Sequence, residues 1–134
     1  MTQSSVSRLR VRYAETDQMG VAWHGSYFAW FEVGRTDLLR ERGMTYRELE
    51  RQQLFLPVIE AHASYERPAR YDDLLEVRTR VASHSGARVS FEYEVIGEGG
   101  GPPLATGSTT HALVDGRGKP RRLPAELRRL LVTA

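Results

Sequence analysis

Arg8, Arg10 and Arg12 alternate with Leu9, Val11 and Tyr13 near the start of the chain. A period of two is the signature of a half-buried strand, here with three arginines on its wet face. Residues 1–5, ahead of it, are polar and read as a frayed start. The pattern changes after Tyr13. Tyr27, Phe28, Ala29, Trp30 and Phe31 are consecutive, and Gly34, Leu38 and Leu39 carry an apolar stripe onward at helical spacing. A segment apolar on nearly every face predicts a buried helix, which turns polar on one side through Arg35, Thr36, Asp37, Arg40 and Glu41. Ser26 is the expected N-cap and Gly43 the expected C′ residue, with Arg40 and Arg42 in the last turn where cations suit the helix dipole. Gly34 weakens a helix by roughly 1 kcal/mol relative to Ala, so a close approach to a sheet is expected there.

Thr45 followed by Glu48 is a capping box that opens a short polar helix to about Gln53. Leu54 to Tyr65 reads as one strand, with Pro57 marking an edge position or an early bulge. Alternation then predicts strands over Leu75–Val81 and Val89–Val95, separated by a turn at Ser83–Gly86. Gly97–Pro103 can only be a loop, Leu104–Val114 is the last strand, and Pro124–Leu131 forms a terminal helical turn. The short turns make the last three strands antiparallel neighbours. The resulting fold class is α+β: an antiparallel sheet of about five strands wrapped around one long central helix, in a single domain over residues 1–134. One helix is thin cover for such a sheet, so further apolar surface is expected to be buried between subunits of a dimer.

Composition narrows the class. At 134 residues, 40% hydrophobic and 27% charged, the chain suits one globular core. No apolar run reaches about 18 residues and the N-terminus has no apolar leader segment, so neither a membrane span nor secretion is expected. Cysteine is absent, which excludes disulfides and thiolate metal sites and fits a cytoplasmic location. The net charge of +2 comes from interspersed signs and gives no reason to expect nucleic acid. His62, His84 and His111 lack metal-ligand spacing, so no metal is expected.

The chemistry concentrates between the first strand and the long helix, where Asp17 and His24 stand just ahead of the helix N-terminus. Free N–H groups and a partial positive charge at that end suit an anion or a polarised carbonyl oxygen. A carboxylate, an imidazole and several N–H donors are equipment for acyl transfer. Glu32 and Arg35, at i and i+3, read as a structural pair that would satisfy a buried Glu.

The segment YAETDQMGVAWHGSYFAWFEVGR resembles the loop–helix signature of hot-dog-fold acyl-CoA thioesterases, in the 4-hydroxybenzoyl-CoA thioesterase and YbgC-like branch. The matching residues are Asp17, Gly20, Val21, His24, Tyr27, Phe31, Glu32 and Arg35. Pro57-Val58, Tyr65 with Arg67-Pro68-Ala69, Asp72-Asp73, Asp115-Gly116 and Pro124 extend the likeness over nearly the whole chain. The resemblance implies the hot-dog fold and hydrolysis of an acyl-CoA, coenzyme A being part of the substrate and no cofactor being needed. It implies Asp17 as nucleophile or general base, with His24 orienting substrate or water. Backbone N–H groups of His24, Gly25 and Ser26 would polarise the carbonyl. Ser26 stands where the family usually has Asn. The resemblance further implies an acyl pocket bordered by Tyr27 and by Val58 and Glu60 of a second subunit. Arg88, Arg67 and Arg70 would meet the coenzyme A phosphates, in a homodimer or a homotetramer built from dimers. Two competing readings are a hot-dog hydratase or dehydratase, which the Asp17 loop fits less well, and a non-catalytic acyl-CoA-binding module, which leaves Asp17 without a role.

Overall fold

The computed structural model describes residues 4–132. Its main sheet has five strands in the order β1-β4-β5-β6-β3, every neighbouring pair antiparallel. They are β1 (Ser5–Arg10), β3 (Val58–Tyr65), β4 (Leu74–Ser85), β5 (Arg88–Gly97) and β6 (Ala105–Ala112). A second, two-stranded ladder pairs β2 (Leu54–Phe55) with β7 (Val114–Asp115). The helices are α1 (Ser26–Glu41), α2 (Tyr46–Arg51) and α3 (Ala125–Leu130).

α1 packs against β1, β3, β4 and β5 across one face of the sheet. Alternation explains which side of each strand it meets: Leu75, Val77, Val81, Val89, Phe91, Tyr93 and Val95 are all buried, while Arg78, Arg80 and Glu94 between them are exposed. Phe31 stacks on Tyr93 with ring centroids 4.3 Å apart and planes 7° from parallel. Burying such a side chain contributes about 1.5–3 kcal/mol. The helix approaches closely where glycine allows it. A Cβ on Gly34 would lie 2.2 Å from the Thr79 hydroxyl, and one on Gly107 of β6 would lie 2.4 Å from the Phe31 ring.

Several expectations from the sequence change. The strand expected over Leu54–Tyr65 divides at Pro57, which has no N–H for a ladder. β2 turns away to pair with β7, and β3 becomes the edge of the main sheet, with a register shift between Val58 and Glu60. The last strand likewise divides, at Leu113. The first strand ends at Arg10, and Tyr13 falls in a 3₁₀ turn (Tyr13–Glu15). Of the polar residues 1–5, residues 1–3 lie outside the described residues, while Ser5 is buried and donates to the Glu41 carboxylate at 2.9 Å. α1 is not covered on every face within one protomer: Ala29, Glu32 and Val33 are exposed. The Glu32–Arg35 pair forms at 3.8 Å with burial reversed, the arginine being the buried member. Arg35 is held by the Tyr46 hydroxyl at 3.3 Å instead of by a buried carboxylate. Gly43 does close α1 in the left-handed region, at φ +98°. Thr45 caps α2 by accepting from Glu48 N–H at 3.1 Å.

Candidate active site

The connection between β1 and α1 is fixed by its own backbone and by one buried carboxylate. Thr16 bridges Ala22, Asp17 N–H donates to Val21 O at 2.9 Å, and Gly20 N–H returns to Asp17 O at 3.0 Å. Gly20 adopts φ +83°, a conformation open to glycine at little cost. Ala22 N–H donates to Ala69 O at 2.8 Å, tying the loop to the segment after β3. Glu15 closes the structure from behind. Its carboxylate accepts from Arg12 N–H at 2.7 Å and from the Trp30 indole Nε1–H at 3.0 Å. Its carbonyl accepts from Trp23 N–H at 2.8 Å and from the Ser26 hydroxyl at 2.9 Å.

Ser26 is therefore not the N-cap expected from the sequence. Gly25 holds that position without a side-chain cap, and the Ser26 hydroxyl is turned to Glu15. The Ser26 N–H donates to Trp23 O at 2.9 Å, whereas the N–H groups of His24 and Gly25 have no hydrogen-bond partner among the described residues. These free donors, together with the N–H of Tyr27, which has no partner among the described residues either, stand at the start of α1, where the helix dipole is positive.

Asp17 faces the same place. One carboxylate oxygen accepts from Met19 N–H at 2.9 Å, which sets the side chain's direction; the other has no hydrogen-bond partner among the described residues. Asp17, His24, Tyr27, Tyr65 and Arg67 border a cleft of about 310 Å³. Tyr65 reaches in from the end of β3 and donates its hydroxyl to His24 O at 2.7 Å. The Tyr27 hydroxyl accepts from Ala69 N–H at 3.4 Å, and burial pushes the phenol above its ordinary range. A carboxylate that shares a cleft with the start of α1 can attack a carbonyl, or direct water at it, while unpaired N–H groups at the helix start take the developing charge.

Residues 11–131 match the family model described as the thioesterase-like superfamily. The chain belongs to that superfamily. The acyl-CoA thioesterase YbgC of Haemophilus influenzae is 36% identical over 122 residues, 90% of this chain and 88% of that one. A DHNA-CoA thioesterase structure from Staphylococcus aureus superposes with a TM-score of 0.91 at 34% identity, covering 95% of this chain and 87% of that chain. A hypothetical protein from Thermus thermophilus gives 0.89 at 41% identity, covering 95% and 96%. These likenesses agree with the hot-dog architecture and with an acyl-CoA hydrolase.

Within one protomer of this thioesterase-like chain the predicted residues separate into two groups. Asp17, His24, Gly25, Ser26 and Tyr27 come together around the start of α1. Val58 and Glu60 do not join them, because they begin β3 and the cleft lies at its far end, roughly 23 Å from Val58 and about 17 Å from Glu60 at the usual strand rise. Arg88 pairs with Ala112 at the end of β6, while the cleft adjoins the opposite end of that strand. Arg67 does border the cleft, but its guanidinium donates to Pro102 O at 2.6 Å and to Pro103 O at 3.3 Å, bracing the glycine-rich loop. Arg70 is exposed, and its N–H is taken by Asp73 at 2.9 Å. Sequence reasoning missed Glu15 and Tyr65 as parts of the site. Glu15 lies two residues before Asp17, next to an arginine-rich strand, and reads as a surface charge. Tyr65 belongs to the downstream part of the family likeness, but nothing in the sequence gives it a role beyond its place at a strand end. No helix among the described residues is long and apolar enough to cross a membrane.

Proposed function

We propose that this chain hydrolyses the thioester bond of an acyl-CoA to a free acid and coenzyme A. The supporting observation is that Asp17 and His24 border one cleft at the start of α1, where the N–H groups of His24 and Gly25 have no hydrogen-bond partner among the described residues. The Asp17 oxygen attacks the thioester carbon to form a mixed anhydride and expel the coenzyme A thiolate, and water then cleaves the anhydride to release the acid and restore Asp17; alternatively Asp17 takes a proton from water that adds to the carbonyl, the C–S bond breaks and the thiolate is protonated. His24 borders the same cleft and orients the acyl group or the water. Tyr27 forms one wall of the acyl pocket.

The remaining residues enter through a second copy. β3 is an edge strand with Val58 and Ile59 exposed at 45% and 42%. A long, partly apolar edge is a template for pairing. Antiparallel pairing of β3 with its two-fold mate would set the partner's Val58 end beside this protomer's Tyr65 end. Val58 and Glu60 would then line the acyl pocket in trans, and Arg88 of the same end would approach the phosphates of coenzyme A, with Arg67 and Arg70 at the cleft's own rim. Two such dimers make the proposed homotetramer, and the proposed location is cytoplasmic.

The test is free thiol release from benzoyl-, hydroxybenzoyl-, short and long aliphatic acyl-CoAs. Hydrolysis by wild type, falling about 10²-fold or more in a folded Asp17→Asn variant, is the expected result. Tight binding of acyl-CoA with no thiol release across the panel would move the non-catalytic binding module ahead.

A further inference from the structure

The hydroxyl of Tyr65 donates to the carbonyl of His24 at 2.7 Å. That carbonyl belongs to the same planar peptide unit as the Gly25 N–H, one of the free donors at the start of α1. A hydrogen bond to the oxygen of an amide withdraws electron density through the peptide and strengthens the donor at its other end, on the order of 10–30% per bond in a chain. Tyr65 is well braced for this task. Its ring stands edge-on to Tyr27 at 5.0 Å and to His24 at 6.5 Å. Desolvation also pushes the phenol above its ordinary range, so the hydroxyl keeps its proton in neutral solution.

We infer that Tyr65 is a positioning residue of the hydrolysis reaction: by holding and polarising the His24–Gly25 peptide, it makes Gly25 N–H a stronger donor to the oxyanion that develops on the thioester carbonyl. The hydroxyl never gives up its proton; the hydrogen bonds run from Tyr65 O–H to His24 C=O, and from Gly25 N–H to the substrate oxygen. This role rests on the thioesterase reading above. It also makes β3 part of the machinery twice over, as an edge for a second copy and as the carrier of the residue that tunes the helix start.

The experiment is Tyr65→Phe in the full-length protein, which keeps the ring contacts and deletes only the hydroxyl. With the best acyl-CoA of the panel, kcat falls about tenfold, less than the 10²–10³ for loss of a whole oxyanion donor, and KM stays within about twofold. A merely structural role would lower the melting temperature or raise KM and leave kcat alone. Tyr71→Phe, which removes a hydroxyl outside the cleft, keeps the wild-type rate. The second readout needs no turnover. In the slow Asp17→Asn background, the infrared C=O stretch of a bound, carbon-13-labelled acyl-CoA moves to higher frequency when Tyr65→Phe is added, because the carbonyl is less polarised. An unchanged kcat, or a carbonyl stretch that does not move, overturns the role of Tyr65. A wild type that binds acyl-CoA without hydrolysing it overturns the thioesterase reading instead, and the infrared comparison still decides whether Tyr65 polarises the peptide.

Discussion

The loop at the start of α1 and the edge strand β3 border the same cleft but are built in opposite ways. The loop is finished within one protomer. Its turns are closed by backbone bonds, and Glu15 behind it accepts from Arg12, Trp23, Ser26 and Trp30. β3 is unfinished. One side pairs with β6, the other with no strand among the described residues, and its first five residues are all exposed. Precise placement of a reacting carboxylate calls for the first kind of construction. A pocket that must admit an acyl chain can be assembled from the second kind, with a copy of the chain supplying the missing wall.

The largest effect is expected from breaking the finished side. Glu15→Ala leaves the Arg12 N–H and the buried Trp30 indole N–H without acceptors, at about 1–3 kcal/mol for the buried indole and about 1 kcal/mol for the part-buried backbone bond. A stability loss of roughly 2–5 kcal/mol follows, read as a lower denaturation midpoint with an unchanged urea slope. Activity drops with it, since the frame of Asp17 goes too. A Glu15→Ala protein of wild-type stability would mean that the loop is held by its backbone alone.

A second prediction sharpens the other side. His111 of β6 is fully buried beneath the junction of β2 and β3, with Nδ1 3.0 Å from Leu56 O and Nε2 2.8 Å from the Thr109 hydroxyl. A carbonyl only accepts, so Nδ1 carries the hydrogen and Nε2 accepts from Thr109. Burial foremost, with the nearby Arg35 charge adding to it and the Leu56 bond opposing, lowers the imidazole pKa from 6.5 to about 4. The folded value lies below the unfolded one, so the unfolded chain takes up the proton first as pH falls. The contribution of His111 is complete above pH 6.5 and is lost between there and about pH 4, roughly 3 kcal/mol in all. Urea midpoints of wild type at pH 7.5 and pH 4.5, set against those of His111→Gln, measure it; the variant's smaller pH dependence is the expected sign. Equal slopes in the two proteins would mean that the imidazole is already charged when folded.

How much of this was legible in the sequence follows the same division. Alternation located the strands, and Gly34 announced the close approach of α1 to Thr79, because both signals are local. The Asp17 loop was legible through a motif whose residues are neighbours in the chain. What stayed hidden depends on partners distant in sequence. Ser26 looks like a cap until its hydroxyl meets the Glu15 carbonyl, eleven residues back. Glu32 looks like the buried member of its pair until α1 is laid on the sheet and Arg35 faces inward to Tyr46. Val58, Glu60 and Arg88 stand as site residues through the family resemblance alone, which gives Val58 and Glu60 to a second subunit; alternation and spacing do not reveal that antiparallel register sends all three to the end of the sheet away from the cleft.

That last point gives the smallest and most discriminating prediction, Ile59→Lys. Ile59 is 42% exposed, so lysine leaves no core cavity, and the protomer's own stability should change by no more than about 0.5 kcal/mol. A charge on an edge strand is the usual means of keeping such strands apart. In a two-fold pairing each copy adds its lysine to the same seam. Dissociation then sets in at protein concentrations where wild type stays assembled, measurable by sedimentation. If the cleft draws Val58 and Glu60 from the mate, thiol release per protomer falls about tenfold or more on dilution, a shift of only about 1.4 kcal/mol in assembly, and recovers when the protein is concentrated. A variant that sediments as a monomer and keeps full activity at every concentration would mean that the finished loop side suffices alone. One that stays assembled would place the interface away from β3. The recovery on concentration is the decisive feature, because damage confined to one protomer does not depend on how many protomers are present.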